Sequence, residues 1–379
     1  MKIGILTQPL YCNYGGLLQC YALQTVLQRM GHQTLVLQRE FKRKYTLRGA
    51  IVYYIKHIVK LLVGKRSSWH YRVDQKRRDY IAKNTYKFIE KNINPRSEHC
   101  YSTKELGDIV LKNKLDAIIV GSDQVWRPYY SPCQPNYFLD FLPKESKIKR
   151  ISYAASFGGD EWTFSPEMTE ECGSLLKRFD AVSVRESSAI KLCKEHFGIE
   201  ATQTLDPTLL LEKEDYCKLF TSKKDRGDLF CYILDRSEEK KNIIGSIAEE
   251  ISFIPFESMP ESQDNVYNLY EDIEKCVYPS VEDWLSAFME AKMVLTDSFH
   301  GTVFSIIFNK PFWVVVNEGR GKARFESILS LFNLQHRMIT SNSIKNVNLM
   351  ESIDWTSVNT KRKELQEESR QFIINALNL

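Results

Sequence analysis

The sequence predicts an α/β protein built from two Rossmann-like, doubly wound parallel sheets facing one another across a cleft. Three observations carry that prediction. Short apolar runs alternate with amphipathic helical stretches along the chain, the pattern of βαβ units. The series stops near Asp206-Pro207 and restarts at Leu229, so there are two of them. The 379 residues suffice for roughly two to three domains, and 43 % apolar with 26 % charged residues is a globular composition.

The first strand is 3–6, followed by the loop Asn13-Tyr14-Gly15-Gly16 and a helix over 17–30 that Gly31 closes. The second strand is 34–37. Residues 117–120 then run into Gly121-Ser122-Asp123, and 151–155 into Ser156-Phe157-Gly158-Gly159. Residues 182–184 run into Arg185-Glu186, with a helix over 187–196. In the second series 229–234 is a strand, and Ser280 with Asp283 forms a capping box. A strand over 293–296, a loop over 297–301, a helix over 302–308 and a strand over 312–316 follow. These patterns divide the chain into an N-terminal Rossmann-like domain over 1–210, a C-terminal one over 211–350, and a helical segment over 351–379 that packs back on the first.

Lys and Arg number 52 against 48 Asp and Glu, a net charge of +4 that argues against a dedicated nucleic-acid binder. The charge is unevenly placed. Residues 41–90 hold 14 Lys/Arg against three acids, a local +11 that leaves −7 for everything else. Tyr53, Tyr54, Trp69, Tyr71, Tyr80, Tyr86 and Phe88 interleave with the basic residues. The stretch reads as a basic helical insertion over 41–95 in the first domain. Its charged face is either simply solvated or meets an anionic lipid surface or an anionic lipid-linked acceptor.

Nine cysteines are spread singly with no C-x-x-C pair, which argues for reduced thiols and against a zinc site or a redox couple. A strand is expected from the first residues onward, with no signal peptide ahead of it. The stretch 51–63 is broken by Lys56, His57 and Lys60, so it is too short and too charged to span a bilayer. The expectation is a cytoplasmic protein, with peripheral contact at the inner face of the membrane through 41–90 as the open alternative.

In parallel sheets ligands bind beyond the carboxyl ends of the strands. The residues standing there are Asn13, Gly15 and Gly16; Ser122 and Asp123; Ser156, Gly158 and Gly159; Arg185 and Glu186; Asp206; and Asp297, Ser298 and His300. They contain neither metal-ligand spacing nor a nucleotide P-loop, so no metal and no cofactor is expected. His300, between a strand and a helix, reads as a general acid or base beside N–H groups that suit an anion; the bland alternative is a structural hydrogen bond. Arg185 can grip a phosphate or carboxylate, or pair with Glu186. Asp123 can orient a sugar hydroxyl, or cap the turn at 124–126. Gly15-Gly16 lets backbone approach a ligand. Arg320, Lys322 and Arg324 complete an anion pocket or form a solvated loop.

At these residues the sequence resembles the polysaccharide pyruvyl transferase family. The resemblance rests on Asn13-Tyr14-Gly15-Gly16-x-Leu18-Gln19, Val120-Gly121-Ser122-Asp123-Gln124-Val125-Trp126, and Ile151-Ser152-Tyr153-Ala154-Ala155-Ser156-Phe157-Gly158. Ser183-Val184-Arg185-Glu186-x-x-Ser188, Asp206-Pro207-Thr208 and Thr296-Asp297-Ser298-Phe299-His300-Gly301 complete an ordered set within about residues 2–345. It implies a fold like the B-type glycosyltransferases (GT-B). It also implies transfer of pyruvate from phosphoenolpyruvate, as donor substrate, to two hydroxyls of a sugar or lipid-linked oligosaccharide, giving a cyclic ketal in cell-surface polysaccharide such as exopolysaccharide or capsule. In family terms His300 is the histidine of donor binding and catalysis, and Arg185 stands where a donor-binding arginine is expected. Many members read Arg-Leu-His-Gly where this chain has Ser298-Phe299-His300-Gly301; Arg320, Lys322 or Arg324 is the replacement on offer.

The expected roles are His300 and Asp123 in catalysis, with Arg185, Asn13, Gly15, Gly16, Ser122, Ser156, Ser298, Arg320, Lys322 and Arg324 binding substrate. A GT-B glycosyltransferase with a nucleotide-sugar donor, its ribose held by Glu318 or Glu326, is the second reading. A non-catalytic sugar- or phosphate-binding protein is the third.

Overall fold

Strands that are apolar on both faces must be covered by helices on both sides, and this chain is rich in them. Ala117–Val120 reads Ala-Ile-Ile-Val and Phe312–Val315 reads Phe-Trp-Val-Val, every residue buried. The computed structural model describes residues 1–41, 47–62, 75–221, 225–262, 273–316 and 322–378. Its strands are β1 (Lys2–Leu6), β2 (Gln33–Arg39), β3 (Arg96–Cys100), β4 (Ala117–Val120), β5 (Lys149–Ala155), β6 (Ala181–Val184) and β7 (Thr202–Gln203), then β8 (Leu229–Tyr232), β9 (Pro255–Phe256), β10 (Met293–Thr296), β11 (Phe312–Val315) and β12 (Met338–Ile339). The first seven form one sheet in the order β3-β2-β1-β4-β5-β6-β7, and the other five a second in the order β12-β11-β10-β8-β9. Every described pairing is parallel, with Ile5 between Val36 and Ile119 at the centre of the first sheet.

The helices are α1 (Tyr14–Arg29), α2 (Leu47–Leu62), α3 (Gln75–Ile81), α4 (Lys83–Asn92), α5 (Thr103–Lys112), α6 (Pro166–Leu176) and α7 (Ser187–Leu192), then α8 (Lys213–Cys217), α9 (Glu238–Glu250), α10 (Val281–Glu290), α11 (Phe299–Ile307), α12 (Lys322–Ser330) and α13 (Trp355–Asn378). Asn13 caps α1, its Oδ1 accepting from Gly16 N at 3.1 Å, and Ser280 caps α10, its Oγ accepting from Asp283 N at 3.0 Å. Residues 42–46 and 63–74 of the basic stretch lie outside the described residues. The stretch is not all insertion: Phe88 and Ile89 of α4 are buried in the main core, which makes α4 an ordinary crossover helix between β2 and β3.

The two halves meet along α1. Tyr14 stacks on Trp284 with ring centroids 5.5 Å apart and donates its hydroxyl to Pro279 O at 2.8 Å. Ser187 N donates to Ser327 Oγ at 2.9 Å across the same seam. Helix α13 lies against 205–212: Arg362 Nη2 bonds Glu212 Oε2 at 2.7 Å, and Ser369 Oγ accepts from Leu205 N at 3.0 Å. None of the nine cysteines is in a disulfide, and among the described residues no helix is long and apolar enough to cross a membrane.

Arg29, in the last turn of α1, makes a two-toothed pair with Asp215 at 2.9 and 2.8 Å. Those bonds, working against burial, hold the Asp215 carboxyl at about 2. A carboxyl depressed by folding stabilises above its unfolded value and loses that contribution as pH falls through the folded one. Arg29 is half exposed, so the screened pair is worth about 1 kcal/mol or less. Arg29→Met is therefore expected to lower the thermal midpoint by about 2 °C at neutral pH. The gap between variant and parent should close as pH drops from about 4 to about 2.

Candidate active site

A doubly wound sheet opens a crevice where its strand order reverses. In the first sheet that point lies between β1 and β4, and in the second between β10 and β8. The segments leaving the carboxyl ends there carry Asn13 and Asp123 on one side and His300 on the other. They approach closely because residue 15 has no side chain: a Cβ on Gly15 would overlap Nδ1 and Cγ of His300. His300 is not in a loop, as the sequence suggested, but in the first turn of α11. Ser298 is the cap of that helix, its Oγ accepting from Gly301 N at 3.5 Å.

Asp206 organises the floor. Its Oδ1 accepts from Thr208 N at 3.0 Å and from Thr208 Oγ1 at 2.6 Å. Its Oδ2 accepts from Ser122 Oγ at 2.8 Å and from Arg185 Nη1 at 3.1 Å. His300 Nε2 stands 3.6 Å from the same oxygen, an ion-pair distance rather than a hydrogen bond. Burial alone would raise this carboxyl. His300, Arg185 and Thr208 together prevail and hold it well below the usual carboxylate range.

Arg185 therefore does not stand open to a donor anion. Its side chain is 2 % exposed, its Nε bonds Glu186 Oε1 at 2.9 Å, and its guanidinium lies 4.0 Å over the Phe299 ring. Burial works against the charge, but Glu186, Asp206 and Asp123 outweigh it and raise the guanidinium above its ordinary value. The ion pair is the alternative the structure selects, and Arg185 positions carboxylates. Ser156 is likewise committed, donating to Glu186 Oε1 at 2.9 Å and accepting from Gly158 N at 3.0 Å.

Asp123 holds a left-handed backbone (φ 71°) at the end of β4, a conformation costly for a residue with a side chain. Rather than capping the turn at 124–126, its Oδ2 accepts from Asn13 Nδ2 at 3.2 Å. Of the basic cluster, Arg320 lies outside the described residues. Lys322 is half exposed and pairs with Glu326 at 3.0 Å, so neither its cation nor that acid points to a ligand. Arg324 is different. Its Nε is buried without a hydrogen-bond partner among the described residues, and burial followed by the repulsion of Arg185 pulls its guanidinium below the ordinary value. Glu318 lies outside the described residues.

A cavity of about 1260 Å³ opens beside this floor. Asn13, Asp123 and Gln124 form its inner side, and Tyr11, Arg78 and Tyr86 its wall. Arg78 lies 4.6 Å over the Tyr11 ring. Nothing in the sequence singles out Tyr11 or Arg78 as lining residues; the aromatic and basic interleaving around Tyr80 and Tyr86 is the one available cue. Among the described residues no group of three His, Cys, Asp or Glu side chains could hold a metal ion.

The sequence matches the family model described as polysaccharide pyruvyl transferase over residues 13–319. No individually curated protein matches it. Among solved structures, UGT89C1 of Arabidopsis thaliana complexed with UDP-L-rhamnose has a TM-score of 0.51 at 10 % identity, over 100 % of this chain and 99 % of that one. A UDP-N-acetylglucosamine 2-epimerase from Rickettsia bellii has a TM-score of 0.48 at 12 % identity, over 100 % of this chain and 97 % of that one. At such identities the likeness is one of fold, and the first agrees with the GT-B arrangement expected from sequence.

The Gly15–His300 approach gives a direct test. Gly15→Ala forces two packed elements apart and should cost about 2 kcal/mol in chemical denaturation. Gly159→Ala, where an added Cβ meets nothing within 4 Å, should leave stability within about 0.5 kcal/mol of the parent. Equal effects of the two substitutions would show that His300 does not rest on Gly15.

Proposed function

This chain belongs to the polysaccharide pyruvyl transferase family, and on that premise we propose that it moves pyruvate from phosphoenolpyruvate onto two hydroxyls of a sugar, closing a cyclic ketal. The observation that carries the reading is the His300–Asp206 pair, 3.6 Å apart at the meeting of the two switch points and beside a cavity.

The reaction needs one proton on the methylene carbon of the donor and an attack by a sugar oxygen on its central carbon. Phosphate then leaves with its bonding pair, and the second hydroxyl attacks the same carbon. One hydroxyl proton is balanced by the new methyl group and the other by the released phosphate. His300 suits the proton transfer. With Nε2 against Asp206, the proton it can deliver is on Nδ1. Ser122 and Thr208 hold Asp206 in place for that task. Arg324, with its unpartnered Nε, takes the place of the arginine missing at Ser298 and clamps the donor's phosphate or carboxylate.

Asp123 orients the acceptor, since it faces both the cavity and the floor. Tyrosine rings beside Gln8 and Gln124 amides form a wall that suits a sugar, either free or on a lipid-linked oligosaccharide.

Incubating the chain with phosphoenolpyruvate and candidate sugars should release inorganic phosphate and yield a pyruvylated product. Release of a nucleoside diphosphate from a nucleotide sugar, with no phosphate from phosphoenolpyruvate, would overturn the reading. His300→Ala should lower kcat by about 10²–10⁴. Arg324→Met should act mainly on the KM for phosphoenolpyruvate.

A further inference from the structure

Helix α2 is turned the wrong way round for a helix of a water-soluble body. Ala50 and Tyr53 are half-buried and His57 is buried, so the stripe spaced three and four residues apart faces the protein. The apolar side chains point away from it. Leu47 is 82 % exposed and Leu62 81 %, and Ile51, Val52, Ile55, Ile58, Val59 and Leu61 are exposed between them. At about 100° per residue these fall within one arc of about half the circumference. An apolar arc of this kind, interrupted by Arg48 near its first turn, marks an interaction surface.

The charge pattern selects the occupant. Helix α2 carries Arg48, Lys56 and Lys60 and no acid, within a stretch holding 14 Lys/Arg against three acids. A second copy docked on the same face would bring an equal excess of positive charge against it. An anionic lipid surface offers both what the arc needs, an apolar layer, and what the basic residues of the stretch need, negative head groups. The helix is 16 residues, or about 24 Å, shorter than the hydrocarbon core and interrupted by charge, so it lies in the plane of the interface. We propose that α2 is an interfacial helix that buries its Leu47–Leu62 apolar arc in the head-group region of an anionic phospholipid bilayer. Phe41 and Arg78, on either side of the segment that carries it, both line the cavity, so the docked segment is rooted at the rim of that cavity.

The test is co-sedimentation of the full chain with phosphatidylcholine vesicles, with and without phosphatidylglycerol. The chain should bind the anionic vesicles at least about tenfold more strongly than the neutral ones. Ile55→Glu combined with Ile58→Glu should lower that binding by at least about tenfold with the thermal midpoint unchanged, since both side chains are in solvent. Leu111→Glu, an exposed apolar site on α5, should leave it as it was. Lys56→Glu with Lys60→Glu should weaken binding at low salt and have less effect at high salt. Equal binding to both vesicle types, or full binding by the Ile55/Ile58 variant, would overturn the proposal. So would light scattering that shows a dimer dissolved by that variant, with no vesicle binding by the parent. Vesicle binding does not require the reaction, so failure of the transferase reading leaves this measurement intact, and the reverse.

Discussion

A charged carboxylate sealed inside a protein is stable only while its partners stay in place, and Asp206 is such a group. It is 1 % exposed and held ionised by contacts from Ser122 after β4, Arg185 after β6, Thr208 beside it and His300 on α11 of the other sheet. Removing one partner of a buried pair leaves an uncompensated charge, at a cost of about 3–5 kcal/mol. The fold and the site thus depend on the same group. The seam between the sheets has to close correctly for Asp206 to be satisfied, and when it does, His300 is oriented.

That dependence also explains the small and hydroxylated residues at the strand ends. Ser122, Ser156 and Thr208 point inward and spend their hydrogen bonds on Asp206 and Glu186. Three acids, Asp123, Glu186 and Asp206, face Arg185 and Arg324 together with His300.

The sequence made the centre of this arrangement legible and its margins much less so. Strands β4 and β11 are continuous apolar runs, and β1 and β10 are nearly so. Strand β3, reading Arg-Ser-Glu-His-Cys, sits at the edge of its sheet, where pairing to β2 requires no apolar face. Strands β7, β9 and β12 are two residues each and carry no periodicity at all. The rule that ligands gather at strand ends picked out Asp206, His300 and Asp123. It could not tell a side chain aimed at solvent from one aimed at a neighbour, and so Arg185 looked available. Its partner Asp206 lies 21 residues further on, and only the fold brings them together.

Helix α2 shows the same limit from the other side. Periodicity finds an apolar arc and a polar one but is silent on which of them meets the protein. For nearly every helix the hydrophobic effect decides, and the apolar arc turns inward. Here α2 leaves β2 at the rim of the first sheet, whose core α1 and α4 already fill through Leu23, Leu27, Phe88 and Ile89. With no apolar surface left to cover, its Ala50, Tyr53 and His57 stripe meets the body and its leucines and isoleucines face outward. The +11 charge of the same stretch is what the proposed anionic lipid surface would meet.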